Sequence, residues 1–167
     1  MIGILPNWHP IFVHFVVALF STSFVLYTLA YITKNISISK ELEIAARWCL
    51  WCAGLATIPT VLAGLYAYNT VIHDAPSHAA MTNHRNWGLP TAGVIAFLSI
   101  WSLCRYYYQK TVSLIFLSFL FITQCMLLST AWRGGELVYR FGLGVMSIPQ
   151  QGNDGHEHNE DASKMQM

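Results

Sequence analysis

The chain has 167 residues, of which 54% are hydrophobic and 10% charged, and its formal net charge is +1. Soluble domains carry about 25% charged residues, so this composition excludes an ordinary water-soluble protein. The balanced charge leaves no basic surface for many phosphate contacts, which excludes nucleic acid as a partner. We therefore expect an integral membrane protein whose main surroundings are membrane lipid.

Four apolar runs follow one another along the chain, and each is long enough for a transmembrane helix. A helix rises about 1.5 Å per residue, so roughly 20 residues cross a hydrocarbon core of about 30 Å. The predicted spans are residues 10–33, 47–71, 87–107 and 112–132. Short connections make neighbouring helices antiparallel. The prediction is an all-α, integral membrane four-helix bundle over residues 1–148, with both termini on the same side.

Positive residues near the span ends favour one orientation of the bundle. Five of them lie at the end that holds the first connection: Lys34, Lys40, Arg47, Arg105 and Lys110. Three lie at the opposite end, which holds both termini and is called the outer end below: Arg85, Arg133 and Arg140. Because cytoplasmic segments are enriched in Lys and Arg, this distribution predicts that both termini face away from the cytoplasm.

The last residues of the chain differ in character from the bundle. Polar residues without apolar periodicity are typical of a disordered tail, here residues 149–167. His156 and His158 lie among acidic residues in this tail and would bind a divalent metal ion weakly. A solvated tail without metal is the alternative, and the sequence leaves both open.

Small residues at every fourth position predict where helices approach each other closely. They form one stripe on span two and another on span three: Ala56, Thr60, Gly64, Gly88, Ala92 and Ala96. We therefore expect spans two and three to form the most closely packed pair of the bundle.

All histidines of the predicted bundle fall at its outer end. They are His9, His14, His73, His78 and His84. Histidines without a common role would be expected at both ends of the bundle. Ionisable side chains within a membrane are costly, and they usually mark a functional site. The asymmetry therefore predicts a binding site at the outer end.

His14 lies one helical turn, about 6 Å, inside the apolar region. Five residues of helix rotate it by about 140° from His9, so the two rings cannot share one ligand face. A partner for His14 must come from another helix, and we expect His84, with His78 in reserve. His9 and His73 stay open as alternatives because they lie at the same level.

Two neutral imidazoles that face each other from different helices suit haem iron or another transition metal. Five residues are large and apolar enough to line a macrocycle: Phe12, Phe15, Leu65, Tyr66 and Tyr68. Three arginines at the water boundary would pair with its carboxylates: Arg85, Arg133 and Arg140. Because no Cys-x-x-Cys-His motif occurs, we expect non-covalent haem b with His14 and His84 as axial ligands to the iron.

Two motifs at the ends of the bundle resemble those of a known family. Residues 9–15 read His-Pro-Ile-Phe-Val-His-Phe, and residues 134–145 read Gly-Gly-Glu-Leu-Val-Tyr-Arg-Phe-Gly-Leu-Gly-Val. With the pair His84 and Arg85, these segments resemble a bacterial family of predicted four-helix membrane proteins, catalogued as a domain of unknown function, over about residues 5–146. Some members carry c-type cytochrome domains, so the resemblance implies a redox setting. In a bacterium, the predicted orientation corresponds to the inner membrane with periplasmic termini.

These features together predict a small b-type cytochrome that relays single electrons near the periplasmic face. A c-type cytochrome or a quinol-linked complex would be its redox partner. Since the sequence contains no serine-nucleophile motif and no phosphate loop, an electron carrier is favoured over an enzyme that turns over a substrate. The alternative is a non-enzymatic membrane subunit or metal-handling protein whose histidines bind a transition metal or a partner.

Overall fold

The computed structural model describes residues 8–144, which form four α-helices joined by short connections. The helices are α1 (His9–Ile32), α2 (Ile38–Thr70), α3 (Ala75–Tyr107) and α4 (Leu114–Tyr139). No β-strand occurs within these residues. All four helices are long and apolar enough to cross a membrane. The predicted all-α membrane bundle is therefore confirmed, whereas the tail at 149–167, with His156 and His158, lies outside the described residues.

The helices extend beyond the predicted apolar spans. Helices α2 and α3 each contain 33 residues, which corresponds to a length of about 50 Å against a hydrocarbon core of about 30 Å. Polar residues continue these helices because local caps support their ends. Asp74 accepts a hydrogen bond from the backbone N–H of Ser77 (3.0 Å) and so caps the start of α3. The start of α3 therefore extends beyond the predicted third span at the outer end, where it forms a tip with the end of α2.

The helices form a ring in which each contacts its neighbours in chain order and α1 also contacts α4. Helices α1 and α3 thus lie on one diagonal of the bundle, and α2 and α4 on the other. The inner half is filled by completely buried side chains, among them Phe20, Leu50, Leu98 and Leu120. The outer half is more open, and it contains the predicted site.

The closest helix pair is α1 and α2, so the prediction that spans two and three pack most closely is wrong. Part of the reason is a buried Ser23 on α1, whose hydroxyl donates to the carbonyl of Ala46 on α2 (2.8 Å). Such small residues let two backbones approach. Helices α2 and α3 do meet closely where a Cβ added at Gly54 would overlap the side chain of Ser99. The predicted stripe residue Gly64 faces α1 instead.

Candidate functional site

A cavity of about 860 Å³ lies between the four helices at the outer end. Cofactor and ligand sites typically have volumes of about 300–1,000 Å³. The walls are mainly apolar and include Val13, Leu65 and Leu137. Among the aromatic residues predicted to line the site, Tyr68 does so, whereas Phe15 is 57% exposed on the surface of α1. The cavity is therefore large enough for a cofactor, and its mainly apolar wall includes Tyr68.

Two histidine rings face each other inside this cavity. The ring centroids of His9 on α1 and His84 on α3 are 5.9 Å apart, and the ring planes make an angle of 82°. The two rings come from diagonally opposite helices, and both line the cavity. Both side chains are partly buried. The structure thus places two imidazoles from different helices next to each other, as the sequence predicts for a ligand pair.

Each of these rings is oriented by a backbone carbonyl on the next helix along the chain. The Nδ1 atom of His9 lies 2.9 Å from the carbonyl oxygen of Thr60. The Nδ1 atom of His84 lies 3.2 Å from the carbonyl oxygen of Thr130. A carbonyl oxygen only accepts hydrogen bonds, so Nδ1 donates in both rings. In the neutral tautomer that results, Nε2 carries the lone pair that binds metals.

A glycine one turn after each threonine leaves room for the ring. A Cβ added at Gly64 would lie 2.8 Å from Nδ1 of His9. A Cβ added at Gly134 would lie 3.2 Å from Cε1 of His84. Side chains larger than hydrogen would displace the rings, so these two glycines are part of the site. We call Thr60 with Gly64, and Thr130 with Gly134, the two histidine cradles.

The cradles were not recognised from the sequence, although a signal for them exists. The pattern Thr-x-x-x-Gly occurs at residues 60–64 on α2 and again at 130–134 on α4. In both, the threonine hydroxyl donates to the carbonyl one turn earlier, on Ala56 (2.7 Å) and Met126 (2.9 Å). The hydroxyls are therefore satisfied within their helices, and it is the threonine carbonyls that hold the histidines. The hairpins α1–α2 and α3–α4 thus each contribute one histidine and one cradle to the site.

His14 takes a different position from the one predicted. Its side chain is exposed, and its Nδ1 atom is hydrogen-bonded to the carbonyl of Pro10 in the same helix. His14 also lines the cavity, but the ring that contacts that of His84 belongs to His9. The rotation of about 140° between His9 and His14 turns the second ring away when the first points inward. In the structure, His9 therefore occupies the position predicted for His14.

His73 and His78 lie together at the tip between α2 and α3. The Nε2 atom of His73 is 2.8 Å from Nδ1 of His78, and the two rings are stacked with centroids 5.1 Å apart. Neither side chain lines the cavity. The reserve partner His78 is thus joined to His73 rather than to the predicted ligands.

The three predicted arginines occupy different surroundings. Arg85 lines the cavity, and its guanidinium lies 4.5 Å from the ring centre of Tyr68. Arg133 lies over the ring of Trp87, 4.3 Å from its centre. Because Arg133 precedes a cradle glycine by one position, it is rotated by about 100° from the cavity face. Arg140 forms an exposed ion pair of 2.7 Å with Glu136. Arg85 is thus the predicted arginine that faces the cavity.

Residues 6–147 match a family described as "Predicted membrane protein (DUF2231)". The chain belongs to this family. The predicted resemblance is confirmed, and the match covers the whole described bundle. No curated protein and no solved structure matches the chain. The family description states a membrane location and names no activity.

Proposed function

We propose that the protein is a membrane b-type cytochrome that binds haem b in the outer cavity and transfers single electrons. His9 and His84 are the proposed axial ligands, with His9 in place of the predicted His14. The observation that carries this proposal is the opposed pair of rings, each with Nδ1 directed at a backbone carbonyl.

The spacing of the two rings supports a metal between them. A histidine nitrogen binds a metal such as zinc at about 2.0–2.1 Å, and a comparable bond length on both sides of one iron puts the ring centroids roughly 6 Å apart. The observed separation is 5.9 Å. The perpendicular ring planes are compatible with this arrangement, since each ring can turn about its own metal–nitrogen bond. The separation of the ring centroids is thus compatible with iron held between His9 and His84.

The number of protein ligands favours haem over a bare ion. Within residues 8–144, no three His, Cys, Asp or Glu side chains converge to hold a metal ion. A structural zinc site usually uses four protein ligands. Haem needs one or two axial ligands from the protein because the macrocycle supplies the others. A pair of histidines beside a large apolar cavity matches that requirement.

The cradles and the charges also suit haem. Gly64 and Gly134 leave room for the rings of the two histidines that would hold the haem iron. The carbonyl partners of Nδ1 fix the ring orientations and increase the basicity of Nε2. Arg85 is the cation at the cavity wall that would pair with a haem carboxylate. With both axial positions held by protein, the iron has no position open for a substrate, which favours electron transfer over catalysis.

Purification in mild detergent from haem-replete cells tests the proposal directly. We expect a coloured protein whose reduced-minus-oxidised absorption spectrum has the bands of a six-coordinate b-type haem. Haem quantified against protein would give the stoichiometry. A colourless protein would overturn the proposal, and metal analysis of the same sample would then test the alternative of a metal-handling protein or membrane subunit.

We further propose that the protein resides in the bacterial inner membrane with both termini in the periplasm. The proposal is supported by the five positive residues at the inner end against three at the outer end. The haem would then lie close to the periplasmic surface, within reach of a c-type cytochrome or a quinol-linked complex.

Reporter fusions test this orientation. Alkaline phosphatase fused after Gln150 should be active, because it folds in the periplasm, and a fusion at Ile36 between α1 and α2 should be inactive. The reverse pattern would place the cavity at the cytoplasmic face.

A further inference from the structure

A chain of hydrogen bonds leads from the cavity wall to the tip of the bundle. The hydroxyl of Tyr68, which lines the cavity, lies 2.9 Å from the hydroxyl of Thr82 and 3.3 Å from Nε2 of His78. His78 is joined through Nδ1 to Nε2 of His73, 2.8 Å away. The Nδ1 atom of His73 lies 2.6 Å from the carbonyl oxygen of Val71 and donates to it. The chain ends at this carbonyl, and His78, in its middle, is exposed to solvent.

The surroundings of the two histidines are charged. Arg85 lies over the ring of Tyr68 on the cavity side. Asp74 lies on the opposite side, where its carboxylate interacts with His73. Hydrogen bonds from the side chain and backbone of Ser77 lower the pKa of Asp74 below its ordinary value. Asp74 therefore stays ionised above acidic pH and places a negative charge near His73.

This chain has the chemical properties of a proton-binding site. An imidazole changes its charge near neutral pH, and it can accept a proton at one nitrogen and release one from the other. Two imidazoles share a short hydrogen bond here, so a proton taken up by the pair can be shared between their rings. Tyr68 connects the pair to the cavity wall without itself having to change its charge.

We propose that His73 and His78 form a proton-binding site, linked to the cavity by Tyr68, that takes up a proton when haem in the cavity is reduced. The inference rests on the proposed function. One electron from a reduced single-electron carrier converts ferric to ferrous iron, and one proton from the outer aqueous phase forms a new N–H bond on the histidine pair. The charge of the site as a whole is thereby unchanged.

The distance between the histidine pair and the proposed haem ligand His84 is short enough for this coupling. His78 precedes His84 by six residues on α3, which corresponds to about 9 Å along the helix axis. At an effective dielectric constant of about 20, one added negative charge at that distance favours proton binding on the order of tenfold. The coupling is reciprocal, so protonation of the pair must favour reduction by the same factor.

Redox titration of the purified full-length protein at several pH values tests the inference. Between about pH 5 and pH 8, where histidine changes its charge, the midpoint potential should fall as pH rises. The expected total change is about 59 mV, which corresponds to a tenfold difference in proton binding for a one-electron couple. The variants His73→Gln and His78→Gln should keep the haem spectrum and lose most of this dependence. The tail variant His156→Gln should behave like the wild type.

Three outcomes would overturn the inference, and they can be told apart. If the wild-type midpoint potential is independent of pH and the haem spectrum is intact, the proton coupling is wrong, but the proposed cytochrome function is not contradicted. A pH dependence that persists in both His73→Gln and His78→Gln would assign the proton to another group. A wild-type protein without haem bands would remove the proposed function and the coupling together.

Discussion

Replacing either His9 or His84 by alanine should reduce the haem content of the purified protein by roughly tenfold or more, or leave a five-coordinate iron. The two rings are the opposed pair in the cavity, 5.9 Å apart. His14→Ala should keep most of the haem, because the His14 ring is exposed and bonded within its own helix. Reduced-minus-oxidised spectra of the three variants, with haem quantified against protein, measure the effect.

The comparison of His9 with His14 is the sharper part of this experiment. If His14→Ala lost the haem and His9→Ala kept it, haem binding would stand but the assignment of His9 would be wrong. His156→Ala and His158→Ala provide further controls, since both lie in the tail, outside residues 8–144. Loss of haem in these tail variants would contradict a site confined to the bundle.

Gly64→Ala should weaken haem binding about 10- to 100-fold, the range typical when groups that orient a metal ligand are disturbed. The added Cβ would lie 2.8 Å from Nδ1 of His9, so the ring must move away from the carbonyl of Thr60. Gly134→Ala should have a smaller effect, because its Cβ would lie 3.2 Å from the ring of His84. Titration of haem into haem-depleted protein measures the affinities.

The chain offers a matched control for the glycine variants. A Cβ at Gly93 would meet nothing within 4 Å, and Gly93 does not line the cavity. Alanine also favours a helix over glycine by roughly 1 kcal/mol, so a fall in haem affinity at Gly64 would not reflect a weaker helix. Thermal unfolding of the haem-free variants checks this point. Equal haem affinity in the Gly64→Ala, Gly134→Ala and Gly93→Ala variants would show that the cradles do not position the histidines.

The sequence predicted the four helices because each apolar run is long enough to span a membrane. It did not predict the helix ends, since α2 begins at Ile38 and α3 at Ala75, in polar stretches. Hydrophobicity marks where a helix crosses lipid, whereas caps such as Asp74 determine where it begins. The predicted spans therefore describe the membrane-crossing parts of longer helices.

The sequence also predicted that a histidine pair from two helices would meet at the outer end, and it identified His84. It favoured His14 over His9, whereas the structure places the ring of His9 against His84, because α1 is largely apolar around its circumference and its periodicity does not reveal which face points inward. That rotation is determined by contacts with α2, where Gly64 admits the ring of His9. The rotation of α4 likewise determines that Arg133, one position before Gly134, points away from the cavity.

The placement of the two cradles on separate hairpins has a consequence for how the protein is assembled. His9 and Thr60 belong to α1–α2, and His84 and Thr130 to α3–α4, so neither hairpin alone contains a complete site. A ligand held by both histidines would join the two hairpins across the diagonal, in addition to the hydrogen bond between Tyr27 on α1 and Ser102 on α3 (3.0 Å). Ligand present at 100 times its Kd would add about 2.7 kcal/mol to the free energy of unfolding. Occupancy of the cavity would thus act as a reversible cross-link between two separately formed hairpins.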